Sequence, residues 1–156
     1  MTVSYDIFTE MFLDKITEYD FMQMDIADRT DIVDGYMRRA LAGFRKNCLY
    51  DFYTAGNNET REFSFDLSEK ESAALEDDIT EIADIVSEGM IVQWLKPYKN
   101  RQENMENFIS TRDISVHSPA ELLMRIGNAY NDAQKEFIDK IREYSYNHGD
   151  LTSLHI

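Results

Sequence analysis

Cysteine is almost missing from this chain of 156 residues, and the one thiol present, Cys48, cannot form an internal disulfide. No Cys/His pair falls at zinc-ligand spacing either, so a reducing cytosolic setting is expected. Proline occurs twice and glycine six times, too rarely to interrupt long helices. No stretch approaches the roughly eighteen apolar residues of a membrane span, and no membrane partner is expected. The opening MTVSYDIFTE carries acids and lacks both a basic start and an apolar run, so it does not read as a secretion signal. A soluble intracellular protein is expected. GxGxxG, GxxxxGKS and GxSxG are absent, which leaves phosphate cradles and nucleophile elbows without support.

The remaining polar residues do not suggest catalysis. His117, His148 and His155 lack HExxH-like spacing, so no metal site is expected; His148 reads as a helix-end residue beside the negative pole of the dipole. Asp25, Asp28, Asp31 and Asp34-Gly35 invite a calcium reading. Loop ligands for calcium alternate at two-residue steps, whereas these acids step by three, which suits capping and the dipole of a helix start. Cys48 has no nucleophile motif around it and reads as a free, partly buried thiol. No cofactor and no enzymatic activity are expected.

Acid is abundant: thirty acidic residues against sixteen basic ones give a formal charge of −14 and a pI of about 4.5. Such a field repels phosphate backbones and anionic lipid, so this surface is not expected to grip DNA, although DNA could pass it without sticking.

Four segments show helical periodicity, giving a mainly α class, a small helical bundle with two long helices and a short extended element. Residues 5–16 place Ile7, Phe8, Met11, Phe12 and Ile16 at three- and four-residue steps. A second helix runs from about Asp28 or Thr30 to Asn47. The polar stretch 48–60 reads as a loop, and Phe63, Phe65 and Leu67 alternate with polar neighbours as an extended segment. Ser68-Glu69-Lys70-Glu71 fits a capping box, opening a helix expected to stop at Pro97. Residues 98–117 suggest only a short helix and a short extended piece. Ser118-Pro119-Ala120-Glu121 then starts a final helix reaching about Asn147, with Leu123, Tyr130, Phe137 and Tyr144 recurring every seven residues. The nine phenylalanines and nine tyrosines mostly occupy apolar faces and read as core.

Along the third of these helices Leu75, Ile79, Ile82, Val86 and Met90 form an apolar stripe. Asp77, Glu81, Asp84 and Glu88 form an acidic row roughly opposite. From Glu71 to Leu95 there are seven acids and no lysine or arginine. Like charges one turn apart repel, so this face is expected to tolerate repulsion that interleaved lysines would remove. The segment EGMIVQWLKPY, with Trp94 and Tyr98, is apolar over more than one helical face, as in a helix end that is wholly buried or meets a partner. After Gly149 the tail still carries Leu151, Leu154 and Ile156, which dock either on their own bundle or on a neighbour. Residues 1–149 are expected to be a single helical domain and 150–156 a tail for inter-subunit contact.

YDIFTEMFLDKITEYDF, EGMIVQWLKPYKN, ISVHSPAELLMRI and REYSYNHGDLTSLHI together resemble small virion proteins of tailed phages and prophages. That resemblance implies a head-tail connector, or neck adaptor, subunit. Its homo-oligomeric ring would sit beneath the portal protein, contact the next neck or tail component, and belong to the virion. Asp77, Glu81, Asp84 and Glu88 are then candidates for a bore past which DNA slides, and Trp94, Tyr98, Leu151, Leu154 and Ile156 for assembly contacts, the tail with a neighbouring subunit or with the portal. The alternative is an acidic regulatory protein, a DNA mimic or antitoxin-like chain, that engages a basic partner.

Overall fold

In the computed structural model, the backbone of residues 1–16, 29–111 and 117–149 is described, with side chains over 1–16, 29–101 and 124–149. The elements are β1 (Thr2–Ser4), α1 (Asp6–Ile16), α2 (Arg29–Phe44), α3 (Phe52–Ala55), β2 (Gly56–Asn57), β3 (Glu62–Ser64), α4 (Glu69–Thr111) and α5 (His117–His148). The protein is therefore mainly helical, with two long helices and a small sheet.

The strands form one antiparallel sheet in the order β1-β3-β2, with Val3 opposite Phe63 and Asn57 opposite Glu62. The turn into β3 puts Arg61 at a φ of 54°, a conformation that L side chains seldom adopt. Its guanidinium is bound on both edges: Nε donates to Asp34 Oδ2 at 2.8 Å, Nη2 to Asp34 Oδ1 at 2.9 Å and Nη1 to Asp6 Oδ1 at 2.8 Å. These charge-assisted bonds join the turn to α1 and α2. Beneath the sheet Phe8, Phe52 and Phe63 meet mostly edge-on, with centroids 5.1 to 5.5 Å apart, and Phe65 lies 4.9 Å from Phe52. The aromatic residues here are core, as their apolar spacing implied.

The start of α4 is capped as its sequence indicates. Glu71 N–H donates to Ser68 Oγ at 3.3 Å, and Ser68 N–H donates to the Glu71 carboxylate at 3.0 Å. The helix does not stop at Pro97; it continues to Thr111 through residues expected to hold only a short helix, while the extended piece expected at Ile114 and Val116 lies outside the described residues. Proline removes one backbone donor, but its ring lies on the exposed face, while Trp94 and Leu95 on the other side are buried. Packing carries the helix across the defect.

The helices α4 and α5 form an antiparallel hairpin. Its register is marked by Glu81 with His148, Asp84 with Lys140, Gly89 with Phe137 and Lys99 with Asn131. Three helices cover α4: α1 and α2 lie against it through Lys15–Asp84, Ala40–Gly89, Phe12–Trp94 and Tyr36–Tyr98, and α5 runs alongside. Between Ile82 and Leu95 only Asp84, Glu88 and Gln93 escape full burial. Beyond Tyr98 the α4 backbone runs 13 more residues to Thr111, about 20 Å at roughly 1.5 Å per residue.

Candidate functional site

The acidic row of α4 is divided by its surroundings. Asp77 is exposed. Asp84 and Glu88 lie where α1, α4 and α5 converge, and two lysines from the other helices reach them. Lys15 Nζ donates to Asp84 Oδ1 at 2.5 Å and to Glu88 Oε1 at 2.8 Å, and also to the Asp84 carbonyl at 3.1 Å. Lys140 Nζ donates to Asp84 Oδ2 at 2.6 Å and lies 3.5 Å from Glu88 and 3.7 Å from Glu136. Burial pushes the Asp84 carboxyl upward, but hydrogen bonds from Lys140 and Lys15 outweigh it and hold the group below the ordinary aspartate range. For Lys140, burial favours the neutral amine, while the bond to Asp84 and the nearby carboxylates win and raise its pKa.

Asp84 and Glu88 are therefore not part of an open repelling face, which corrects the reading of the row as four equivalent bore acids. The missing lysines come from elsewhere in the chain. A carboxylate on a helix covered from three sides loses water and must be paired. A sequence signal existed: Lys15 closes the otherwise apolar and acidic α1, and Lys140 sits among apolar residues of α5 at a helix-facing position.

Glu81 has a different partner. His148, the last residue of α5, places Nε2 3.1 Å from Glu81 Oε2, and its ring stacks on Tyr144 at 4.3 Å with an interplanar angle of 28°. Tyr144 is fully buried, packs edge-on against Phe44 at 5.1 Å, and accepts a hydrogen bond from Leu49 N–H at 3.3 Å. Asp78, one turn before Glu81, completes a group in which one ligand atom from each of Asp78, Glu81 and His148 lies within 4.8 Å of the others. Cys48 is half-buried next to Tyr144; burial pushes its thiol pKa up, as suits an unreactive thiol.

The assembly candidates are also separated. Trp94 is only 2% exposed and meets Phe12 edge-on at 6.2 Å, so the chain's own core takes it and no neighbour can reach its face. That is the second correction: the apolar EGMIVQWL run reflects burial by three helices. Tyr98 is half-buried at the core's edge, with the Arg101 guanidinium 5.8 Å from its ring centroid. Leu151, Leu154 and Ile156 lie outside the described residues. The structure exposes other apolar groups that periodicity did not single out: Met124 and Ile138 are 64% and 40% exposed on α5, two heptads apart on one face. A shallow groove of about 360 Å³ runs beside Ile138, bordered by Asn131, Lys135 and Arg142.

Among the described residues, no helix is long and apolar enough to cross a membrane. Compared with known proteins, the chain matches no family model, no curated protein and no solved structure.

Proposed function

We propose that this chain is a structural assembly subunit of the head-tail connector type, closing a homo-oligomeric ring beneath a tailed-phage portal protein and receiving the next neck component. The observation that carries this reading is the length of the α4–α5 hairpin. A protein whose α4 backbone runs about 20 Å past Tyr98 alongside α5 has the form of a lever that meets something outside itself. The base of the lever is rigid, because the lysine-carboxylate cluster and the close Gly89 crossing lock α4 to α1, α2 and α5. On its outer side the Met124–Ile138 face supplies apolar surface for a lateral, head-to-tail contact. The charge of −14 supports passage of DNA without adhesion. Within the acidic row that role falls to Asp77 and the half-exposed Glu81, since Asp84 and Glu88 are neutralised internally.

The test mixes the purified chain with portal rings encoded beside it, and reads mass by light scattering and shape by electron microscopy, with and without residues 150–156. A ring added by the full chain and lost on truncation supports both the connector reading and the tail contact. A chain that ignores portal and instead captures a basic protein replaces this reading with the acidic-mimic alternative.

A further inference from the structure

We propose that Asp78, Glu81 and His148 form a binding site for a divalent transition metal, zinc above all, which clasps the last turn of α5 to the first third of α4. The inference is independent of the connector reading. The two carboxylates stand at i and i+3 on α4, so they share one face, and the imidazole arrives from the antiparallel helix directly opposite. One imidazole nitrogen and two carboxylate oxygens suit zinc, manganese or cobalt, and three protein ligands leave positions for water. Ligands about 2.0 to 2.2 Å from an ion stand about 3 to 4 Å from each other. The three atoms already lie within 4.8 Å, and Nε2 and Oε2 are 3.1 Å apart, so closure asks only for small side-chain rotations.

The site is also held from behind. His148 is fixed by its stack on Tyr144, whose ring is locked by Phe44 and whose hydroxyl is held by Leu49 N–H. Such support of a ligating imidazole sets its orientation before the ion arrives. Ser145, three residues before His148 on α5, has a buried hydroxyl without a hydrogen-bond partner. Partial exposure of His148 and Glu81, 21% and 41% of their side chains, leaves an open route for an ion. His148 stands one residue before Gly149, so an occupied site would fix the point from which residues 150–156 depart.

Calorimetric titration and thermal melting of the metal-free full chain with zinc chloride are the test. One zinc per chain is expected, with a rise in melting temperature reversed by EDTA. Asp78→Asn, Glu81→Gln and His148→Gln should each weaken binding about tenfold or more, whereas His117→Gln, at the far end of α5, leaves it unchanged. Each variant is first checked by circular dichroism for native helix content. Cobalt absorption of the unaltered chain supplies a readout that needs no variant: a spectrum shifted from the aqueous ion supports the site. An unshifted cobalt spectrum, or zinc binding that survives Glu81→Gln and His148→Gln, would overturn it.

Discussion

Asp77 and Glu81 belong to the same acidic row as Asp84 and Glu88, turn after turn along one helix, yet the two halves have different electrostatics. The first half keeps its charges toward solvent or toward His148. The second half lies where α1, α2 and α5 all press on α4, and there each carboxylate receives a lysine. Burial removes the water that would otherwise solvate the charge, so the protein must supply the counter-charge itself. The spacing of acids along a helix fixes how strongly they repel one another. Which of them need partners is set by what else covers the helix.

This contrast can be broken most severely at its crowded end. A β-carbon added to Gly89 would stand 2.8 Å from Ala40 Cβ and 2.8 Å from the Phe137 ring, and both contacts belong to packed helices. Gly89→Val should therefore destabilise the fold by about 3 kcal/mol, at the upper end of overpacking costs, read as a lowered denaturant midpoint.

Removing one counter-charge should cost less. Lys140→Met leaves Asp84 and Glu88 with Lys15 alone and should cost about 1 to 2 kcal/mol, below the figure for a fully buried pair because 39% of the Asp84 side chain still meets water. The loss should depend on pH. Asp84 has a folded pKa below its unfolded one, so its stabilising contribution is complete above the ordinary aspartate value of about 3.9 and disappears as pH falls through the lower folded value. The difference between native chain and Lys140→Met is expected to be full at neutral pH and to shrink below about pH 4. On the alkaline side the signs reverse. The Lys140 pKa is raised on folding, so its contribution is complete below about 10.4 and is lost as pH rises through the folded value. Equilibrium unfolding at several pH values checks both limbs.

The smallest effect belongs to the open half. Asp77→Asn should change stability by no more than about 0.5 kcal/mol, because an exposed charge without a partner behaves as an ordinary surface substitution. A cost approaching that of Lys140→Met would mean that the two halves of the row are not distinct.

Much of the helical layout was readable locally. The spacing of Ile7, Phe8, Met11 and Phe12, the Ser68/Glu71 box and the Ser118-Pro119 start each located an element within a few residues of its place. The strand β1 and the short α3 were missed, since three residues of TVS and four of FYTA carry no period of their own. They exist because β3 pairs with β1 and because Asp51 caps α3 by accepting from Thr54 N–H.

The sequence by itself determined the helical class, the capping of α4 and the net acidity, because these depend on composition or on residues within a turn or two. Tertiary structure decided that α4 crosses Pro97, that Trp94 faces inward, that Asp84 and Glu88 are paired, and that His148 meets Glu81 and Asp78. The ion pairs among those outcomes join residues 56 to 73 positions apart, and the energy that selects all of them is burial against a particular neighbouring helix, which no local window of sequence contains.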